Sequence, residues 1–245
     1  MRVLKKWLFW PLCCGTLLAA PAANPQLFDL NQLAGTVQFS QNITLMLTLA
    51  FVSLLPFFLM STTSFLRIVI VLGFVRSAIG TQQTPPSSVI ISIAFFLTMY
   101  VMTPVWQEIQ TTALEPYNQG RITQQMAWEN GLKPLKNFMI RQTREKDLVL
   151  FIEFSKIPPL TDINDVPIYV LMPAFILSEM STAFKIAFVI FVPFVVVDMV
   201  VSNVLLSLGM FMLSPVMISL PFKILLFVLA DGWFLITRGL IQSFV

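Results

Sequence analysis

Residues 172–223 read MPAFILSEMSTAFKIAFVIFVPFVVVDMVVSNVLLSLGMFMLSPVMISLPFK. The run is apolar almost throughout, with charge only at Glu179, Lys185, Asp198 and Lys223. A bilayer crossing needs about 20 consecutive apolar residues. Residues 166–178 supply thirteen before Glu179, and 186–197 supply twelve before Asp198. Both fall short. Residues 199–222 are long enough, but Gly209, Pro215 and Pro221 interrupt them around Met210, Met212 and Met217. Gly and Pro mark a turn, and turns are ordinarily polar; this one is apolar. Pro173 and Pro193 predict kinks, since each ring removes a helix N–H donor and crowds the preceding turn. The pattern predicts an all-α fold of kinked hydrophobic helical hairpins, one of them pairing 184–208 with 216–229.

Composition agrees with a membrane-class chain. Of 245 residues, 57% are hydrophobic and 11% charged, against about 25% charged in soluble domains. Mean hydropathy is +0.83. The formal charge of +3 comes from Arg2, Lys5 and Lys6; without them twelve basic face twelve acidic side chains. Such a balance gives no electrostatic footprint for nucleic acid. The first residues, MRVLKKWLFWPLCCGTLLAAPAANPQ, have the basic start, apolar stretch and small-residue site of a secretory signal, with cleavage expected near Ala22 or Ala23. Both cysteines, Cys13 and Cys14, fall inside it, so the exported chain is expected to carry no disulfide. There is no histidine. That removes a Ser-His pairing, imidazole metal ligands and the commonest general base. No enzyme activity, no metal and no cofactor are expected.

The remaining chain divides by charge. The expected layout is a signal peptide at 1–22, an exported arm at 23–42, and a first hydrophobic helical region at 43–107. A polar helical insert follows at 108–165, then a second hydrophobic helical region at 166–245 with a loop at 208–221. The insert holds seven basic and eight acidic side chains and reads as water-facing, with Glu145 and Lys146 as surface charges. Crossings are expected at 43–60 and near 89–106. Arg67 and Arg76, with no acid close in sequence, suit an inside loop between them; that places the insert outside.

Charge at bilayer depth costs at least ~2.5 kcal/mol, so the interior charges need partners or water. Across the expected hairpin, Glu179 can meet Lys223 and Lys185 can meet Asp198. Two readings stand. One is a small membrane transporter, its charged residues lining an ion or solute pathway, with the acids as a proton relay. The other is a helix pack that buries its charges against other subunits.

Two long segments carry a resemblance. LRIVIVLGFVRSAIGTQQTPPSSVIISIAFFLTMYVMTPVW (66–106) and the run from 172 to DGW at 231–233 resemble the signature blocks of the FliP family of flagellar biosynthetic proteins. The likeness runs from about Thr62 onward. The tail DGWFLITRGLIQSFV favours the flagellar branch over the similar virulence-type secretion homologues. The resemblance implies a core subunit of a type III export gate in the bacterial inner membrane and on its periplasmic face, at the flagellar basal body. It implies a pentameric homo-oligomer joined by FliQ and FliR relatives in a ring or helical cone. FlhA and FlhB relatives would be partners, and unfolded flagellar proteins would pass through its channel. It further implies that the loop is a methionine-rich pore seal formed by Met210, Phe211, Met212 and Leu213. Here Phe211 interrupts the family's run of consecutive methionines, which leaves open the side chains that point inward. Glu179, Lys185, Asp198, Lys223, Arg67 and Arg76 are the candidates for buried ion pairs or subunit contacts.

Overall fold

A computed structural model describes residues 41–81, 83–155 and 162–244. The expected signal peptide, and all but the last two residues of the expected arm, lie outside the described residues. The chain divides into two units, residues 1–54 and 55–245. The first contributes the start of α1 (Gln41–Thr62), an apolar helix whose described side chains from Leu45 to Leu54 are all exposed.

The second unit holds the rest of the described helices. α2 (Phe65–Ile79) buries Ile68, Val71, Leu72 and Val75, a spacing of three and four that lines one helical face. It stops at Gly80, whose φ of +88° is the left-handed geometry that glycine adopts without strain. α3 (Ser87–Ile109) starts directly after Pro85 and Pro86. It runs through a π-helical turn at Gln110–Leu114 into the short α4 (Glu115–Asn118). α5 (Gln124–Gln142) opens on Thr123, whose hydroxyl accepts from the Met126 amide at 3.4 Å. α6 (Glu145–Ser155) follows, then a single 3-10 turn at Ile163–Asp165.

α7 (Ile168–Ser207) is one helix of 40 residues. At 1.5 Å per residue it is about 60 Å long, twice the hydrocarbon thickness of a bilayer. The uncharged runs before Glu179 and Asp198, each too short for a crossing, are thus parts of one helix long and apolar enough to cross. A charge does not terminate a helix whose backbone bonds are intact, and these two charges are met sideways. Pro173 and Pro193 both lie inside it. α8 (Pro215–Leu229) folds back along α7, and α9 (Gly232–Gln242) leaves it at 63°. Gly232 is required at that corner, because a Cβ there would stand 2.3 Å from the Phe227 ring.

Among the described residues there is no strand. One core gathers Ile68, Leu72 and Val75 with Ala183, Phe194, Phe227 and Leu240 from the apolar helices. A second joins Met139 and Leu148 of the insert to Leu171, Ala174 and Phe175 of α7. Three described helical stretches are long and apolar enough to cross a membrane: Leu45–Thr62, Ser87–Asn118 and Ile168–Ser207. The bent pair α8–α9 makes a fourth if it counts as one span. The most apolar window of α7 is only 11% buried within this chain, so most of its apolar surface is left for lipid or for other chains.

Candidate functional site

The turn between α7 and α8 is built by the backbone. Gly209 takes φ +72°. Its amide donates to the Leu206 carbonyl at 3.1 Å, and the Met210 amide donates to the Leu205 carbonyl at 3.0 Å. This pair of bonds is the Schellman closure of a helix, which satisfies carbonyls that would otherwise be orphaned. On the far side Pro215 occupies the first turn of α8, where its missing N–H costs nothing. Between these two stops the described residues leave the side chains largely uncovered. Met212 is 100% exposed, Phe211 76%, Leu213 49% and Met210 44%. Met217 is exposed as well, but it belongs to α8. A cluster of large apolar groups is therefore held out on a firmly anchored loop.

The interior charges pair differently from the hairpin expectation. Glu179 meets Arg67, not Lys223. The Arg67 Nε donates to Glu179 Oε2 at 2.9 Å, and Nη2 bonds Glu179 Oε1. Nη2 also donates to Gln142 Oε1 at 3.0 Å. Nη1 donates to the Ser243 carbonyl at 2.8 Å and to its hydroxyl at 3.1 Å. All five guanidinium N–H groups are thus used. The Phe244 ring lies 3.9 Å from the guanidinium carbon, within cation–π range. Arg67 is 2% exposed and Glu179 0%. Arg67 therefore has a close acid in space although none lies near it in sequence, and it ties α2, α5, α7 and the segment after α9 together.

Asp198 meets Lys223 at 2.6 Å, not Lys185, and its other oxygen accepts from the Ser219 hydroxyl. Arg76 joins the end of α2 to the start of α3, donating to the Ser87 hydroxyl at 3.0 Å. Lys185 is exposed and has no partner among the described residues.

Spacing along the chain does not reveal a third cluster. The Ser178 hydroxyl donates to Asp147 Oδ2 at 2.6 Å and accepts from the Arg144 amide at 3.0 Å. Arg144 Nε reaches the same carboxylate at 2.7 Å. Only the Arg144–Asp147 part, three residues apart, follows the local helix rule. Burial pushes the Asp147 carboxyl up, but the Ser178 hydroxyl and the Arg144 guanidinium outweigh it and hold the carboxyl below its ordinary value. A folded-state pKa below the unfolded one means stability that is present above the unfolded value, about 3.9, and lost as pH falls through the folded value. Asp147→Asn is expected to lower stability at neutral pH by about 1–3 kcal/mol. The gap from the parent should begin to narrow below about pH 4 and close as pH falls through the folded value. Thermal melting at pH 7 and at pH 3.5 checks this; a gap of equal size at both would contradict it.

Comparison with known proteins adds the family. The model of the FliP family matches residues 47–240. The flagellar biosynthetic protein FliP of Bacillus subtilis (strain 168) is 49% identical over 205 residues, covering 84% of this chain and 93% of that one. The protein of the same name from Caulobacter vibrioides is 41% identical over 233 residues, covering 95% and 87%. That of Aquifex aeolicus is 39% identical over 230 residues, covering 93% and 96%.

Proposed function

The chain belongs to the FliP family, a component of flagellar protein export, and from that premise we propose that it is a core subunit of the export gate. Several copies, five by family resemblance, surround a channel with FliQ and FliR relatives. FlhA and FlhB relatives supply the neighbouring machinery. Unfolded flagellar proteins pass through, and no covalent chemistry is done on them. The apolar helices fit an inner-membrane location; the insert at 108–165 lies on the periplasmic side, at the flagellar basal body.

The carrying observation is the exposed apolar loop on a closed helix end. Met212 and Phe211 are almost wholly uncovered by the described residues, and Met210 and Leu213 are about half covered. Converging from several copies, they form a constriction that excludes ions by dewetting. Methionine is unbranched and polarisable, so it repacks around a polypeptide of changing shape. The length and low burial of α7 support the same reading, because one bilayer cannot cover a helix of about 60 Å.

The transporter alternative needs acids free to exchange protons. Glu179 and Asp198 are each held by a cation, which favours a structural role for both. Native mass after mild extraction, with FliQ and FliR relatives co-expressed, tests the proposal. A large multi-copy complex is expected. A monomer or simple dimer that moves solutes would sink it.

A further inference from the structure

Two opposite flanks of the apolar half each carry one charge that the chain leaves unpartnered. Lys185 stands exposed on α7 beside the exposed Phe184, Phe188 and Val189. Asp231 stands exposed at the α8–α9 corner, near the exposed Leu229 and Phe234. Neither side chain has an ionic or hydrogen-bonding partner among the described residues.

Their relative placement follows from the antiparallel register of α7 and α8. Asp198 meets Lys223, and the Phe194 and Phe227 rings lie 6.4 Å apart. Asp231 lies just past the end of α8, at a left-handed corner (φ +47°) where its amide still donates to the Val228 carbonyl at 3.1 Å, and so beside the face of α7 that carries Phe194. Lys185 precedes Phe194 by nine residues, which at 3.6 residues per turn is about 180° around the helix. The two charges therefore lie on opposite sides of α7. Moving back from Phe194 to Lys185 covers about 13.5 Å; moving on from Phe227 to Asp231 covers about 6 Å in the same direction. Their heights differ by about 7.5 Å, little more than one helical turn. Arg238, the remaining unpartnered charge of the apolar half, lies two turns beyond Asp231 on α9 and so on the same element. It is too far along to pair with Asp231 and does not belong to the opposite flank.

We propose that Lys185 of one copy pairs with Asp231 of the next, giving one buried ion pair at each contact between neighbouring copies. The proposal rests on the multi-copy reading above. Two different patches on opposite flanks make a head-to-tail contact, which closes into a ring or climbs as a helix. The height difference sets a stagger of about one turn between neighbours. Apolar side chains supply the buried area on both flanks, but apolar surfaces slide over one another at little cost. A single pair of opposite charges fixes the register, because every slipped register strands two unpaired charges in an apolar interface.

The test uses the full chain, with Cys13→Ser and Cys14→Ser, assembled with its partners. Lys185→Cys and Asp231→Cys on one chain, treated with a short bismaleimide that replaces the lost lysine reach, should give a ladder of linked chains. Each single cysteine variant should stay unlinked. Lys185→Glu or Asp231→Lys alone should lower the yield of assembled complex about tenfold, the factor that about 1.4 kcal/mol produces. Lys185→Asp with Asp231→Lys should restore most of it. A link within one chain, a dimer from a single cysteine variant, or an assembled complex with neither ladder nor rescue overturns the pairing while leaving the multi-copy reading intact. A parent chain that never assembles overturns that reading instead.

Discussion

Replacing Met210, Phe211 and Met212 together with alanine is expected to open an ion leak through the assembled complex. Conductance in a planar bilayer should rise about tenfold or more over the parent, because a shorter apolar constriction wets and then conducts. These side chains make an unusually clean target. They are 44%, 76% and 100% exposed within the chain, so truncating them removes little intramolecular packing. Gly209 and Pro215, which close the two helix ends, stay untouched. The complex should therefore assemble at parental yield and leak, separating loss of seal from loss of fold. Phe211→Met should remain tight, since it exchanges one large apolar group for a more flexible one. Background conductance from an assembled triple-alanine complex would end the seal proposal.

The second large effect lies at Arg67. Arg67→Ala strands the Glu179 carboxylate at 0% exposure, and Glu179→Ala strands a guanidinium at 2%. Breaking a buried pair from one side costs about 3–5 kcal/mol, against a total stability of about 5–15 kcal/mol for a typical domain. Either variant should lose most of its folded protein after extraction. Replacing both residues with methionine should be milder, because no charge is left buried. Full recovery is not expected, since Gln142 and Ser243 lose their donors as well. Arg67→Lys keeps the charge but not the planar fork, and should fall between. Unchanged melting of Glu179→Ala would contradict this account.

The stops in the chain were legible because they are local. Gly209 and Pro215 each act through their own backbone, and α7 ends and α8 begins at them. The apolar loop was legible for the same reason. The continuity of α7 was not. Glu179 and Asp198 look like interruptions when hydropathy is averaged along the chain, yet a helix is held by bonds that ignore side-chain charge. What makes Glu179 tolerable is Arg67, 112 residues upstream, and no spacing rule along one helix reaches that far. Ser178 reads as one more small residue in an apolar run until Asp147 is beside it. The π-turn after α3 left no mark that composition reveals.

The Arg67 cluster also has an order in time. The ribosome delivers its members one by one: the arginine first, Gln142 next, Glu179 later, and Ser243 last, 176 residues after the start. Until that final hydroxyl and carbonyl emerge, the guanidinium cannot fill all its bonds. The earliest helix of this core therefore takes some of its contacts from a segment 176 residues downstream. A nascent chain halted anywhere before α9 leaves that arginine short of acceptors and the apolar helices unlatched.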